Sequence, residues 1–169
     1  MVYVLRLVHI ISGVFWVGSV MFTTLLLGPT LRALGPGAGP VMNQLVKVRK
    51  LPMVMMTSAL LTMAAGIWLL MIDSAGQPGV WMKSGTGKTF GAGAVFAILA
   101  FALGIAVNMP TSKRIAALGS AAAARGGPPN PEEQAELQRL QGRLSTASQI
   151  VTLLLVLATA AMAIAQYVQ

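Results

Sequence analysis

Four long apolar stretches, separated by short basic loops, set the pattern of this chain. They cover about residues 2–27, 52–72, 89–109 and 149–168. Each is close to the roughly 20 residues an α-helix needs to cross the hydrocarbon core of a bilayer. Arg6 and His9 are the strongly polar interruptions of the first stretch. It has no basic leader and no clean small-x-small site, so it is expected to be a membrane helix and not a signal peptide. Between the first and second stretches, VMNQLVKVRK (41–50) places Val41, Leu45 and Val48 on one helical face beside Lys47, Arg49 and Lys50. That is the pattern of a short helix lying on an anionic leaflet. The segment 110–148 opens with an Ala-rich run and breaks at GGPPNP. Asn130, Pro131 and Glu133 then supply the N-cap, the N1 proline and the acidic N3 residue of a new helix. Leu137, Leu140 and Leu144 carry an apolar stripe from there into the fourth stretch, which predicts one helix from Pro131 to about Tyr167.

The pattern predicts an all-α integral membrane protein, a four-helix bundle in one transmembrane domain, with the last helix extended into the cytoplasm. GPTLRALG (28–35) and MPTSKRIAALG (109–119) each close a stretch with a proline, a threonine, a basic residue and Ala-Leu-Gly. The chain therefore reads as two related helical hairpins repeated in parallel. Thr89, Gly93, Ala97, Ala100 and Gly104 form a groove of small residues along the third helix, of the kind that lets backbones approach closely in lipid. Gly93, Ala97, Ala100 and Gly104 are expected to hold the bundle together or to dock other membrane subunits or a second copy of the chain. Thr152, Thr159 and Gln166 offer interhelical hydrogen bonds at heptad spacing.

Composition agrees with lipid as the solvent: 56% of residues are hydrophobic and 9% charged, against about a quarter charged in soluble domains. The absence of cysteine excludes disulfides and thiolate metal sites. The net charge of +8 comes from loops, with nine Lys and Arg in the first and third against Arg6, Lys83 and Lys88 on the other side. This places the first and third loops in the cytoplasm and both termini outside, as in the inner membrane of a bacterium. Tyr3, Trp68, Trp81 and Tyr167 fall at the outer helix ends, as an interfacial belt requires. Bases confined to short loops exclude nucleic acid as a partner. SGTGKT (84–89) resembles a phosphate loop, but Met82 stands where the first glycine belongs and a membrane helix follows, so no nucleotide is expected. Ser84 and Thr86 serve as helix N-caps instead, with Lys88 one turn in.

His9, Gly13, Trp16 and Val20 recur at i, i+4, i+7 and i+11, on one face of the first helix. An ionisable residue inside a membrane helix is a functional candidate because its burial is costly. One reading makes His9 the ligand of a haem or other porphyrin, or of copper. Arg6 and Lys88 would then hold propionates and Trp16 would line the site. Met71, Met82 and Met162, at the same level, are the candidate second ligands; Met53, Met56 and Met63 lie deeper and read as packing residues. The other reading hydrogen-bonds His9 to a neighbouring helix. Trp16 is expected to pack between helices with its N–H on a Ser or Thr, and Asp73 to pair with Arg6 or Lys88. No nucleophile–base pair appears, so the expectation is non-enzymatic.

The motif H-x-x-x-G-x-x-W-x-G from His9 to Gly18, together with the ending MAIAQYV (162–168), resembles the small four-helix membrane proteins of the copper-resistance D and HemJ-like group. NMPTSKRIAAL (108–118) is similar to a stretch of the anthrone-oxygenase-like four-helix proteins. In the HemJ-like proteins a histidine of the first helix is associated with haem and protoporphyrinogen oxidation, alongside a lysine of the third helix. The resemblance implies His9 and Lys88 for those positions. The chain departs from the group in lacking a Tyr-His after the first helix and any second histidine. Two functional expectations result. One is an accessory or assembly subunit of a larger electron-transfer or photosynthetic membrane complex; the other is a haem- or copper-handling protein built on His9.

Overall fold

The computed structural model describes residues 1–168, apart from the side chain of Pro36. Those residues are mostly helical, joined by short turns and loops, with no strand among them. Four helices are long and apolar enough to cross a membrane: α1 (Val2–Leu34), α3 (Leu51–Asp73), α5 (Gly85–Ala124) and α6 (Pro131–Tyr167). Two are short, α2 (Ala38–Asn43) and α4 (Pro78–Trp81). The protein is an integral membrane protein with an all-α, four-helix architecture. The 23 residues of α3 rise ~35 Å at 1.5 Å each, close to the hydrocarbon thickness. α1, α5 and α6 have 33, 40 and 37 residues and reach ~50–60 Å. Their surplus projects at the end of the bundle opposite Met1.

Local chemistry sets the helix starts. Ser84 Oγ accepts the N–H of Gly87 at 3.0 Å, so α5 begins at Gly85, four residues before the expected 89. Asn130 Oδ1 accepts the N–H of Glu133 at 2.8 Å and Glu133 Oε2 accepts that of Asn130 at 2.9 Å. This closes the expected capping box and starts α6 at Pro131 as one continuous helix.

The prolines, by contrast, do not end α1 and α5 at 27 and 109. A helical proline lacks an N–H, and its ring presses on the carbonyl four residues back. Here each helix widens into a π-turn just before the proline, Thr23–Leu27 ahead of Pro29 and Gly104–Asn108 ahead of Pro110. The N–H groups of Gly28 and Met109 reach the carbonyls of Thr23 and Gly104, five residues back, and the helix continues. The two devices stand the same 81 residues apart, Thr23 to Gly104 and Pro29 to Pro110. The repeated hairpins thus share a backbone irregularity as well as a sequence echo.

α1 packs antiparallel on α3, and α5 antiparallel on α6. All four meet in one core of Trp16, Val20, Ala59, Ala100, Val151 and Leu155, with Trp16 edge-on to Phe101 at 6.2 Å between ring centres. The small-residue groove meets α6 at Gly93. A Cβ on Gly93 would lie 3.0 Å from Met162 Cγ and 3.1 Å from the Ala158 carbonyl, so α6 already occupies the position. Gly93 and Ala100 are buried, Ala97 and Gly104 half-buried. At Gly93 and Ala100 the stripe thus serves the bundle itself, the closest approach being made to α6, while nothing lies within 4 Å of a Cβ built on Gly104.

At the projecting end, Arg114 donates from Nε to Glu136 Oε1 at 2.8 Å, and Arg125 pairs with Glu133. These bonds tie the tail of α5 to the head of α6. The backbone N–H of Asn130, then Arg125, hold the Glu133 carboxyl below its ordinary range; Arg114 does the same for Glu136. A depressed carboxyl contributes stability that is present above its unfolded pKa and lost as pH falls through the folded one. Hydrogen-exchange protection of residues 133–137 should therefore hold from neutral pH to about 5 and decline below about 4. Protection of Val151–Ala158 should not change over the same interval. Leu155, 1% exposed, should cost about 2–5 kcal/mol when replaced by Ala. Leu153→Ala, at a position 59% exposed, should stay within about 0.5 kcal/mol. Denaturant unfolding in mixed micelles measures both.

Candidate functional site

The site begins with a missing side chain. A Cβ on Gly66 of α3 would lie 2.9 Å from His9 Cε1 and 3.1 Å from Nδ1, so the glycine leaves the space that the imidazole of α1 fills. One turn earlier on α3, the Thr62 carbonyl lies 2.8 Å from His9 Nδ1. A carbonyl only accepts, so Nδ1 carries a proton, and the neutral ring in this arrangement has its lone pair on Nε2. Thr62 contributes its side chain as well. Its Oγ1 lies 2.9 Å from Ser12 Oγ and 2.8 Å from the Ser58 carbonyl. Ser12 in turn bonds the Val8 carbonyl. Gly13 completes the contact, since a Cβ there would touch Thr62 Cγ2 at 3.4 Å. Two glycines and three polar side chains thus join α1 to α3 around one half-buried ring.

The structure separates the residues grouped around His9 by the sequence. Arg6 is one turn away on α1, exposed, and pairs with Asp73 Oδ1 at 3.3 Å, as one of the two expected pairings had it. Lys88 is exposed near the start of α5, in the other hairpin. Trp16 is buried in the core against Phe101 and lines no opening beside His9. Among the described residues no Ser or Thr accepts its N–H, contrary to expectation; neighbouring hydroxyls such as Thr23 and Thr152 bond carbonyls of their own helices. Of the candidate second ligands, Met82 packs on Gly91 and Met162 on Gly93, both against α5, while Met71 is exposed on α3. No cluster of three or more His, Asp or Glu side chains forms among the described residues.

Two features escaped the sequence reading. Gly66, inside an apolar run with nothing to mark it, forms the floor beneath His9. Gly87 and Gly91, in and just after SGTGKT, accommodate the backbone of Trp81 and the side chain of Met82. The stretch is a capped helix start against which the α4 turn folds, and Trp81 stacks on Phe90 with ring centres 5.9 Å apart.

The nitrogen shifts of His9 in isotope-labelled protein should show a protonated Nδ1 and an unprotonated Nε2. Gly66→Ala should displace the ring, remove that signature and lower stability by about 1–3 kcal/mol through overpacking. An unchanged spectrum in Gly66→Ala would contradict the packing described. Comparison of the chain with family models, with curated proteins and with solved structures found no match.

Proposed function

We propose that this protein is a non-enzymatic subunit of a larger membrane assembly, an accessory or assembly factor of an electron-transfer or photosynthetic complex, docked through the free face of α1. The observation that carries this reading is the face itself. The most apolar 18-residue window of α1 is 11% buried, the least of the four spans and against 28% for α6, although α1 packs on both α3 and α6. Its polar groups turn inward or pair within the chain, His9 and Ser12 towards Thr62 and Arg6 towards Asp73. Its outward face carries Ile11, Val14, Phe15, Gly18 and Phe22 at i, i+3, i+4, i+7 and i+11, all exposed. Nothing lies within 4 Å of a Cβ built on Gly18. A glycine notch between bulky side chains is the relief a partner helix packs into, where van der Waals fit drives association in lipid. The distribution of Lys and Arg supports an orientation with both termini outside and the projecting helix ends in the cytoplasm of a bacterial cell.

The second reading, a haem- or copper-handling protein, is favoured by the His9 tautomer. Ligating histidines typically donate their other N–H to a carbonyl or carboxylate, as Nδ1 does here to Thr62.

A photo-crosslinking residue at Val14 should capture a partner polypeptide in native membranes, and Gly18→Leu should abolish the adduct without unfolding the protein. Adducts to lipid alone, or a polypeptide adduct unaffected by Gly18→Leu, would overturn docking at this face. A porphyrin band or bound copper that co-purifies with the chain and disappears in His9→Ala would decide for the second reading.

A further inference from the structure

The two loops at the projecting end differ in free charge. Residues 1–72 contain no Asp or Glu. Arg32, Lys47, Arg49 and Lys50 of the first loop are all exposed, and none joins an ion pair among the described residues. The other loop, 110–148, sets five Lys and Arg against Glu132, Glu133 and Glu136. Two of those bases, Arg114 and Arg125, are held in ion pairs. Unneutralised charge is therefore concentrated on the first loop, although it has fewer bases.

The same loop exposes apolar side chains. α2 and the π-turn Gln44–Val48 behind it leave Val41, Met42, Val46 and Val48 uncovered, with only Leu45 half-buried against the bundle. Of the apolar face read from the sequence, Leu45 alone turns to the protein. The others alternate with or adjoin Lys47, Arg49 and Lys50. A protein partner that covered this segment would need both acidic and apolar groups in register. A leaflet of anionic phospholipid offers both at once, phosphates at headgroup level and acyl chains just beneath. The amino end of α3, which no side chain caps, opens directly after Lys50 and adds its dipole to the same positive field.

We propose that segment 38–50 is a contact site selective for anionic phospholipid. In it Lys47, Arg49 and Lys50 engage headgroup phosphates, and Val41, Met42, Val46 and Val48 enter the acyl boundary. The site does not depend on a partner at α1 or on the orientation of the chain, so its test and the crosslinking test fail independently. The chain has no cysteine, which makes a single label unambiguous. The intact protein carrying Val46→Cys with an environment-sensitive fluorophore is reconstituted in nanodiscs of phosphatidylcholine. A minor fraction of brominated phosphatidylglycerol or brominated phosphatidylcholine is then added as quencher. Phosphatidylglycerol should quench at lower mole fraction by at least about fivefold, the worth of one basic residue at an anionic surface. High salt and the combined Lys47→Gln, Arg49→Gln, Lys50→Gln variant should bring the two lipids together. Arg139→Gln with Arg143→Gln, on the other loop, should leave the preference in place. Equal quenching by the two lipids would overturn the proposal. So would a preference that survives the triple variant, or one lost equally in the Arg139 and Arg143 control.

Discussion

In a bilayer, an apolar side chain gains nothing by leaving lipid for another helix, so the bundle depends on how closely its backbones approach. The approach of α5 to α6 at Gly93 meets that constraint most fully. The position is buried, and the Ala158 carbonyl stands where a Cβ would crowd it at 3.1 Å. Ala100 continues the same seam and delivers α5 to the core, where Leu155 and Val151 of α6 meet Trp16 and Val20 of α1. A larger residue at Gly93 would part the two helices and open this core from one side. The packing of α1 on α6 therefore depends on how closely a third helix, α5, seats on α6.

The α1–α3 hairpin answers the same constraint differently. Its approach is also made at glycines, Gly13 and Gly66, but the space they leave is filled by polar groups. His9, Ser12 and Thr62 form bonds that cross from one helix to the other. Such bonds are directional, so they fix the rotation of α1 about its axis as well as its distance from α3. With that rotation set, Trp16, seven residues after His9, faces the core, and Gly18 faces away from it. The outward face of α1 is thus a consequence of where its polar residues bond.

Much of this architecture is legible in the sequence, because it follows from local rules. The four spans follow from apolar run length, the continuous α6 from its capping box and leucine stripe, and the hairpin repeat from the Pro-Thr-base exits. The shortage of other acids at that level leaves Asp73 to Arg6 or Lys88, and the packing of α1 on α3 selects Arg6. What escaped depends on partners distant in sequence. The small residues of α5 show that something packs closely there, but not that it is α6. Gly66 is one glycine in an apolar run until His9 is seen above it. The π-turns escaped for another reason. A proline in a helical pattern reads as a stop, and only the geometry shows a carbonyl shifted by one residue so that the helix continues.

The repeat also shows what is particular to His9. At the 81-residue offset shared by the two π-turns, Ser12 corresponds to Gly93 and His9 to Phe90. In the first hairpin the interface residue at this level is a hydroxyl; in the second it is bare backbone. Both hairpins carry a flat ring one turn further out. The imidazole of His9 lies over Gly66, and the phenyl of Phe90 stacks on Trp81 with an interplanar angle of 24°. A ring at this level is therefore common to both units and fills space in each. Phe90 does so with no polar atom, so packing alone does not require an imidazole. The difference lies in two nitrogens: Nδ1 is spent on the Thr62 carbonyl, which leaves Nε2 as the one group the first hairpin has beyond what its counterpart needs. A role for the ring itself would therefore fall to Nε2, while the bond at Nδ1 helps to set which face α1 turns outward.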